Sequence, residues 1–296
     1  MGCERVQSTR SHPISPIFSC LLARAGIISP VMAAQTVTLN GIKVHYQVEG
    51  EGPDVLLIHG WASSRRMWTH VLANLSNAYR CWAVDLPGFG ESDKPARGWY
   101  SIPNYTATMR AFIREAGMER ARLIGHSMGG MIVLDLAATH PENVERVIAL
   151  NPVVTGRRAA LRPLAHWGPG PRLLDWTLRL WPRVLQPVLS HPLGESLHGG
   201  VRHIRRRAED FTRGTTDSVW GSGRAVITYD LSPRLAHITA PALVIVGDRD
   251  HMVSTAEGRL AAERIPGARL SVLRAGHIVT DDLPGDTLRL VREFFA

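Results

Sequence analysis

The first regular pattern along the chain is an alternation. Thr36-Val37-Thr38-Leu39 and Ile42-Lys43-Val44-His45-Tyr46-Gln47-Val48 place apolar residues at every second position on either side of Asn40-Gly41. Period two marks a strand with one buried face, and Asn-Gly supplies the two left-handed residues of a tight turn, so the spacing predicts an antiparallel β-hairpin. The pattern then changes. Short apolar runs at 55–58, 81–84, 122–124, 147–150 and 243–246 alternate with helical patterns, and Leu270-Ser271-Val272-Leu273 reads as one more strand. Such runs read as strands buried on both faces of a parallel sheet. After Ser127, the residues Met131, Ile132, Val133, Leu134, Leu136 and Ala137 make a helix apolar nearly all round, which predicts a central helix clamped against the sheet and covered outside.

The strand rhythm stops between about Thr155 and Ser232, where Pro163, Pro169, Pro171, Pro182, Pro187 and Pro192 punctuate short helical patterns. The expected organisation is therefore an α/β core over 35–154 and 233–296, with a helical cap, 155–232, inserted after the sixth strand. Residues 1–34 read as a disordered N-terminal extension. Residues 1–31 scatter Arg5, Arg10 and Arg24 among Ser and Pro with no apolar stretch, which makes a poor signal peptide. Regular pattern begins directly after Met32, so that methionine reads as the natural start. No internal repeat or low-complexity tract is present.

Composition narrows the picture. At 296 residues, 45% hydrophobic and 20% charged, the chain is neither disordered, collagenous nor coiled coil. Its longest stretch without a charge, 25–42, contains Pro30, Gln35, Thr36, Thr38, Asn40 and Gly41 and is no membrane span. No stable membrane insertion is expected. Cys3, Cys20 and Cys81 are unclustered, which excludes a disulfide framework or a zinc site and favours a reducing, cytoplasmic setting. Net charge is +8, and residues 155–234 hold 13 arginines against six acids, hence +7 of it. Arg202, Arg205, Arg206 and Arg207 cluster there; a solvated helix face explains them, with attraction of anionic substrates or of a membrane surface as the rival, and nucleic-acid binding needs more than such a cluster.

The chemistry lies where strand and helix patterns meet. Gly125-His126-Ser127-Met128-Gly129 puts a serine between two glycines, directly after a strand and before a helix. A turn that tight rejects side chains at 125 and 129, holds the serine in strained backbone geometry and lifts its Oγ above the sheet at a helix N-terminus. His59-Gly60-Trp61 follows an earlier strand where donors for a developing oxyanion are needed; the nominated backbone N–H groups are those of Trp61 and Met128. His59 and His126 are candidates for the substrate pocket, although His59 also reads as a loop hydrogen-bonder. In the cap, Leu174, Leu178, Trp181, Leu185 and Val188 fall at helical spacing with Trp167 nearby; Trp167 and Trp181 are the aromatic pocket candidates, and plain packing explains the same stripe.

A serine hydroxyl needs a histidine base, and the base needs a carboxylate to set its tautomer. The run 242–247 ends in Asp248-Arg249-Asp250, whereas the run 147–150 ends in Asn151-Pro152 with no acid. The run 270–273 is followed by Arg274-Ala275-Gly276-His277, which makes His277 the candidate base. The order Ser127, acid, His277, together with His59-Gly60-Trp61, Asp85-Leu86-Pro87-Gly88-Phe89-Gly90-Glu91-Ser92, Gly247-x-x-Asp250 and Gly276-His277, resembles the α/β-hydrolase fold enzymes of the lidded esterase and lipase-like branch over residues ~35 to 296. The resemblance implies a mostly parallel sheet flanked by helices. It implies that the acid stands three residues after the strand-ending glycine, at Asp250, with Asp248 as runner-up. It also implies a cofactor-free, metal-free serine hydrolase acting on a small-molecule ester through an acyl-enzyme. The expected substrates are uncharged esters with short to medium acyl chains. A lactonase, thioesterase, perhydrolase-like enzyme or C–C bond hydrolase would use the same triad, and a slow-turnover ligand receptor would keep it.

Overall fold

The computed structural model of the protein describes residues 34–157, 206 and 209–296. Strands β1 (Gln35–Leu39) and β2 (Ile42–Glu49) pair antiparallel, with Leu39 opposite Ile42. Between them Asn40 and Gly41 have φ of 51° and 82°, the two left-handed positions whose twist matches that of the flanking strands. The apolar runs become β3 (Asp54–Ile58), β4 (Arg80–Val84), β5 (Ala121–His126), β6 (Val144–Leu150), β7 (Ala242–Gly247) and β8 (Arg269–Leu273). The eight strands form one sheet in the order β1-β2-β4-β3-β5-β6-β7-β8, parallel from β4 to β8.

Both faces are covered by helices, which explains the unbroken apolar runs. Leu56 and Ile58 pack with α2 (Ile102–Glu115) and α3 (Met128–Thr139), whereas their neighbours Val55 and Leu57 join the opposite core with α1 (Thr69–Leu75). In β7 the same alternation sends Val244 and Val246 to the first face and Leu243 and Ile245 to the second. Every residue of α3 from Met128 to Ala137 is buried, as its pattern predicts. Strand β8 instead mixes half-buried and exposed positions, with Val272 open to solvent, because it is the last strand of the sheet.

Of the segment expected to form a cap, the described part includes α4 (Thr216–Thr228), whose start is closed by a reciprocal capping box between Thr215 and Ser218. After it come α5 (Thr255–Arg264), the single turn α6 (Val279–Asp282) and α7 (Pro284–Phe295). Among the described residues no helix is long and apolar enough to cross a membrane. Because β3 to β8 run parallel, the loops that follow them converge at one edge of the sheet, where ligands of open α/β sheets bind.

Candidate active site

The turn between β5 and α3 is as tight as its glycines require. A β-carbon on Gly125 would lie 2.2 Å from the Gly129 carbonyl oxygen, and one on Gly129 would lie 2.2 Å from that of Ile58. Ser127 between them has φ 55° and ψ −113°, a conformation that side chains rarely adopt. Its N–H donates to Leu150 O at 2.9 Å, which ties the turn to β6. Two further non-glycine residues at this edge have positive φ, Ala62 (52°) after β3 and Asn151 (42°) after β6.

His277 lies in the loop between β8 and α6, and Asp250 in the loop after β7. The His277 Nδ1–H donates to Asp250 Oδ2 at 2.7 Å, so the proton sits on Nδ1 and Nε2 carries the lone pair. The other oxygen of Asp250 accepts the N–H groups of Met252 and Val253 at 2.7 and 2.9 Å. Burial alone would raise the Asp250 carboxyl, but the hydrogen bond from His277 and those from the two backbone amides hold it below the ordinary carboxylate value. Its side chain is 1% exposed and that of His277 14%. Asp248, the runner-up acid, is exposed.

Gly60 brings the loop after β3 against the serine turn: a β-carbon there would stand 3.2 Å from Ser127 Cβ and 2.9 Å from His126 Nδ1. In that loop the Trp61 side chain is half-buried, donates its Nε1–H to Val219 O on α4 at 2.8 Å and stacks edge-on against Phe211. His59 does not wall a pocket. Its ring is fully buried, Nδ1–H donates to Gly60 O at 2.7 Å, and Nε2 accepts from Leu86 N–H at 2.9 Å. Burial lowers its pKa against the pull of Asp85, so it is a neutral brace between two loops and offers no polar atom to a substrate. His126 likewise turns its Nε2–H to the main-chain oxygen of His277 at 2.7 Å. Trp167 and Trp181 lie outside the described residues, as do Arg202, Arg205 and Arg207.

Several buried polar residues were not singled out from the sequence. Asn151 contacts β7 and the His277 loop; the signal available was a polar residue closing an apolar run. Glu257 accepts the N–H groups of Val154 and Thr155 at 2.8 and 2.6 Å, where the chain leaves β6. Asp210 accepts from Ser64 Oγ at 2.8 Å, and Arg66 bonds Glu209 at 3.0 Å, so the 209–210 stretch is fastened to the loop after β3. Arg206, read from the sequence as part of a solvated arginine face, is instead largely buried, with its side chain 16% exposed and paired at 2.7 Å with Asp281, close in sequence to His277. Among the described residues no three His, Cys, Asp or Glu side chains converge as a metal site. Cys81 is buried, and burial pushes its thiol up to about 12, far from a reactive thiolate.

This architecture agrees with the wider comparison. The model of the alpha/beta hydrolase fold family matches residues 53–283, and the chain belongs to that family. It is 26% identical over 255 residues to the pimeloyl-[acyl-carrier protein] methyl ester esterase of Aeromonas hydrophila subsp. hydrophila, covering 83% of this chain and 96% of the relative. It is 28% identical over 274 residues to the 2-hydroxy-6-oxo-6-phenylhexa-2,4-dienoate hydrolase of Comamonas testosteroni, covering 86% and 92%. The crystal structure of the enol-lactonase from Burkholderia xenovorans LB400 superposes with a TM-score of 0.73 at 26% identity, covering 88% of this chain and 99% of that one. The family and these relatives make the protein a hydrolase.

Proposed function

We propose that the protein is a serine hydrolase that cleaves carboxylic esters through an acyl-enzyme. Ser127 Oγ attacks the carbonyl carbon while His277 Nε2 takes its proton; Asp250 holds the ring in that tautomer and stabilises the imidazolium. The oxyanion is received by the backbone N–H groups of Trp61 and Met128, and the imidazolium then protonates the departing alkoxide as the ester C–O bond breaks. Water, deprotonated by the same histidine, attacks the acyl carbon, and the imidazolium returns that proton to Ser127 Oγ as the acyl C–O bond breaks and the acid is released. The observation that carries this reading is the 2.7 Å bond from His277 Nδ1 to Asp250, at the sheet edge where Ser127 is held in its strained turn.

Uncharged esters with short to medium acyl chains fit best. Met128 is buried, and Trp61 and Phe211 add aromatic surface to this end of the sheet. Three of the described arginines already face carboxylates: Arg66 faces Glu209, Arg206 faces Asp281 and Arg213 approaches Glu91 at 4.0 Å. Their charge is answered within the protein, which lowers the attraction for a substrate carboxylate. A cyclic ester is the second reading, favoured by the similarity to an enol-lactonase. The test is labelling by a fluorophosphonate, then steady-state turnover of p-nitrophenyl esters of graded acyl length, matched esters bearing a free carboxylate, lactones and thioesters. Rapid multiple turnover that vanishes in Ser127→Ala supports the proposal. A single slow event points to a ligand receptor, and a preference for the carboxylate series overturns the substrate class.

A further inference from the structure

We propose that His126 and Asn151 are positioning residues that hold the candidate base in register with the candidate nucleophile by donating together to the main-chain carbonyl of His277. The inference rests on the reading of Ser127 and His277 given above.

That carbonyl oxygen, which can only accept, receives the His126 Nε2–H at 2.7 Å and the Asn151 Nδ2–H at 2.7 Å. The chemistry of its partners fixes the orientation of the Asn151 amide. Its Oδ1 accepts the Gly247 N–H at 2.8 Å, while Nδ2 faces the carbonyl oxygens of Gly276, at 3.1 Å, and His277. Both residues are buried, at 4% and 3% exposure, so water does not compete for these bonds. Asn151 also donates its backbone N–H to Ile245 O at 2.8 Å. Its φ of 42° is one that asparagine tolerates better than most residues.

His126 immediately precedes Ser127, and its ring lies beside that of His277 with centroids 4.7 Å apart. The space it occupies exists because residue 60 is glycine. Nucleophile neighbour, β6 end, β7 end and base loop thus form one network. Asp250 orients the His277 ring, and the paired donors fix the main chain that carries it. A reacting group displaced by about 1 Å loses on the order of 10²-fold in rate.

Asn151→Asp tests this with nearly the same shape and a residue that still tolerates the backbone angle. It keeps an acceptor for Gly247 N–H but sets an oxygen against two carbonyl oxygens. His126→Leu removes the other donor, and His126→Gln returns an amide N–H at similar reach. The expected result is a fall in kcat of roughly 10- to 100-fold for Asn151→Asp and His126→Leu. KM should stay within about threefold, fluorophosphonate labelling should slow in parallel, and His126→Gln should recover most of the loss. Combining Asn151→Asp with His126→Leu should cost less than the product of the single effects, because both act on one carbonyl. Folded variants whose kcat stays within about threefold of wild type, with only the melting temperature lowered, would overturn the inference. So would a His126→Leu effect confined to KM and acyl preference, the signature of a substrate contact. If Asn151→Asp does not fold, the two His126 variants decide. A wild type that neither labels nor turns over esters removes the serine hydrolase reading and this inference with it. An active wild type with unimpaired variants removes this inference alone.

Discussion

Replacing Asp250 by Asn is the most demanding test of the proposed chemistry, because the surroundings dictate how the amide must sit. Asp250 Oδ1 accepts two backbone N–H groups at 2.7 and 2.9 Å, and an asparagine has one oxygen to satisfy them. Its NH2 group therefore takes the place of Oδ2 and points at His277 Nδ1. Two donors cannot share that 2.7 Å contact, so the imidazole moves its proton to Nε2 and presents N–H, in place of a lone pair, to the serine. The base is then in the wrong tautomer. In serine triads generally this loss is about 10⁴-fold in kcat, which corresponds to about 5 kcal/mol of transition-state stabilisation. Asp248 is exposed, and Asp248→Asn should stay within about twofold. The assay is kcat and KM for a p-nitrophenyl ester on variants checked for folding by circular dichroism and melting temperature. If Asp250→Asn retains more than a tenth of wild-type kcat, or Asp248→Asn is the more damaging change, the tautomer argument is wrong.

Burial lowers the His59 pKa, so the unfolded chain binds a proton that the folded one refuses; stability is full above the unfolded value of ~6.5 and falls as pH drops from there toward the folded value. His59→Gln has no such proton to refuse, and the gap in melting temperature between wild type and variant should narrow below pH ~6.5; a constant gap refutes the assignment. Gly129→Ala puts a β-carbon 2.2 Å from Ile58 O and should destabilise by roughly 3 kcal/mol or more in urea unfolding, whereas Gly98→Ala, with open space around it, should change stability by less than about 0.5 kcal/mol. Glu257→Gln leaves one acceptor where two backbone N–H groups and the Thr155 hydroxyl converge and should cost about 1–3 kcal/mol by chemical denaturation; an unchanged midpoint would show that the carboxylate is dispensable.

Features decided by short-range geometry were legible in the sequence. Asn40-Gly41 gave away the hairpin because only left-handed residues close it, and the glycines at 125 and 129 marked the serine turn because a side chain there meets backbone. Unbroken apolar runs located the parallel strands because both faces of the sheet are covered. Long-range polar contacts were invisible. Asp135, within an otherwise apolar helix, accepts from Thr106 Oγ1 at 2.7 Å and Tyr229 Oη at 2.6 Å, partners 29 and 94 residues away. Asn151 and Glu257 find partners about as remote, and no local periodicity records which loops a sheet will bring together. For His59 and His126 the residue type was informative and the role was not, since a buried imidazole serves equally as brace or proton carrier until its partners are known.

Four non-glycine residues among those described have positive φ, and three of them, Ala62, Ser127 and Asn151, sit in the loops leaving β3, β5 and β6. Each such conformation costs on the order of 1–3 kcal/mol, and the surrounding fold must hold it in place. At Ser127, stability and the proposed chemistry therefore select in opposite directions. Glycine at Ser127 would relax the turn and remove the proposed nucleophile in the same step, so a screen that ranks variants by melting temperature alone would favour loss of that hydroxyl. Thermostabilisation of this chain is better directed at surface positions remote from these loops, with the three strained residues left unchanged.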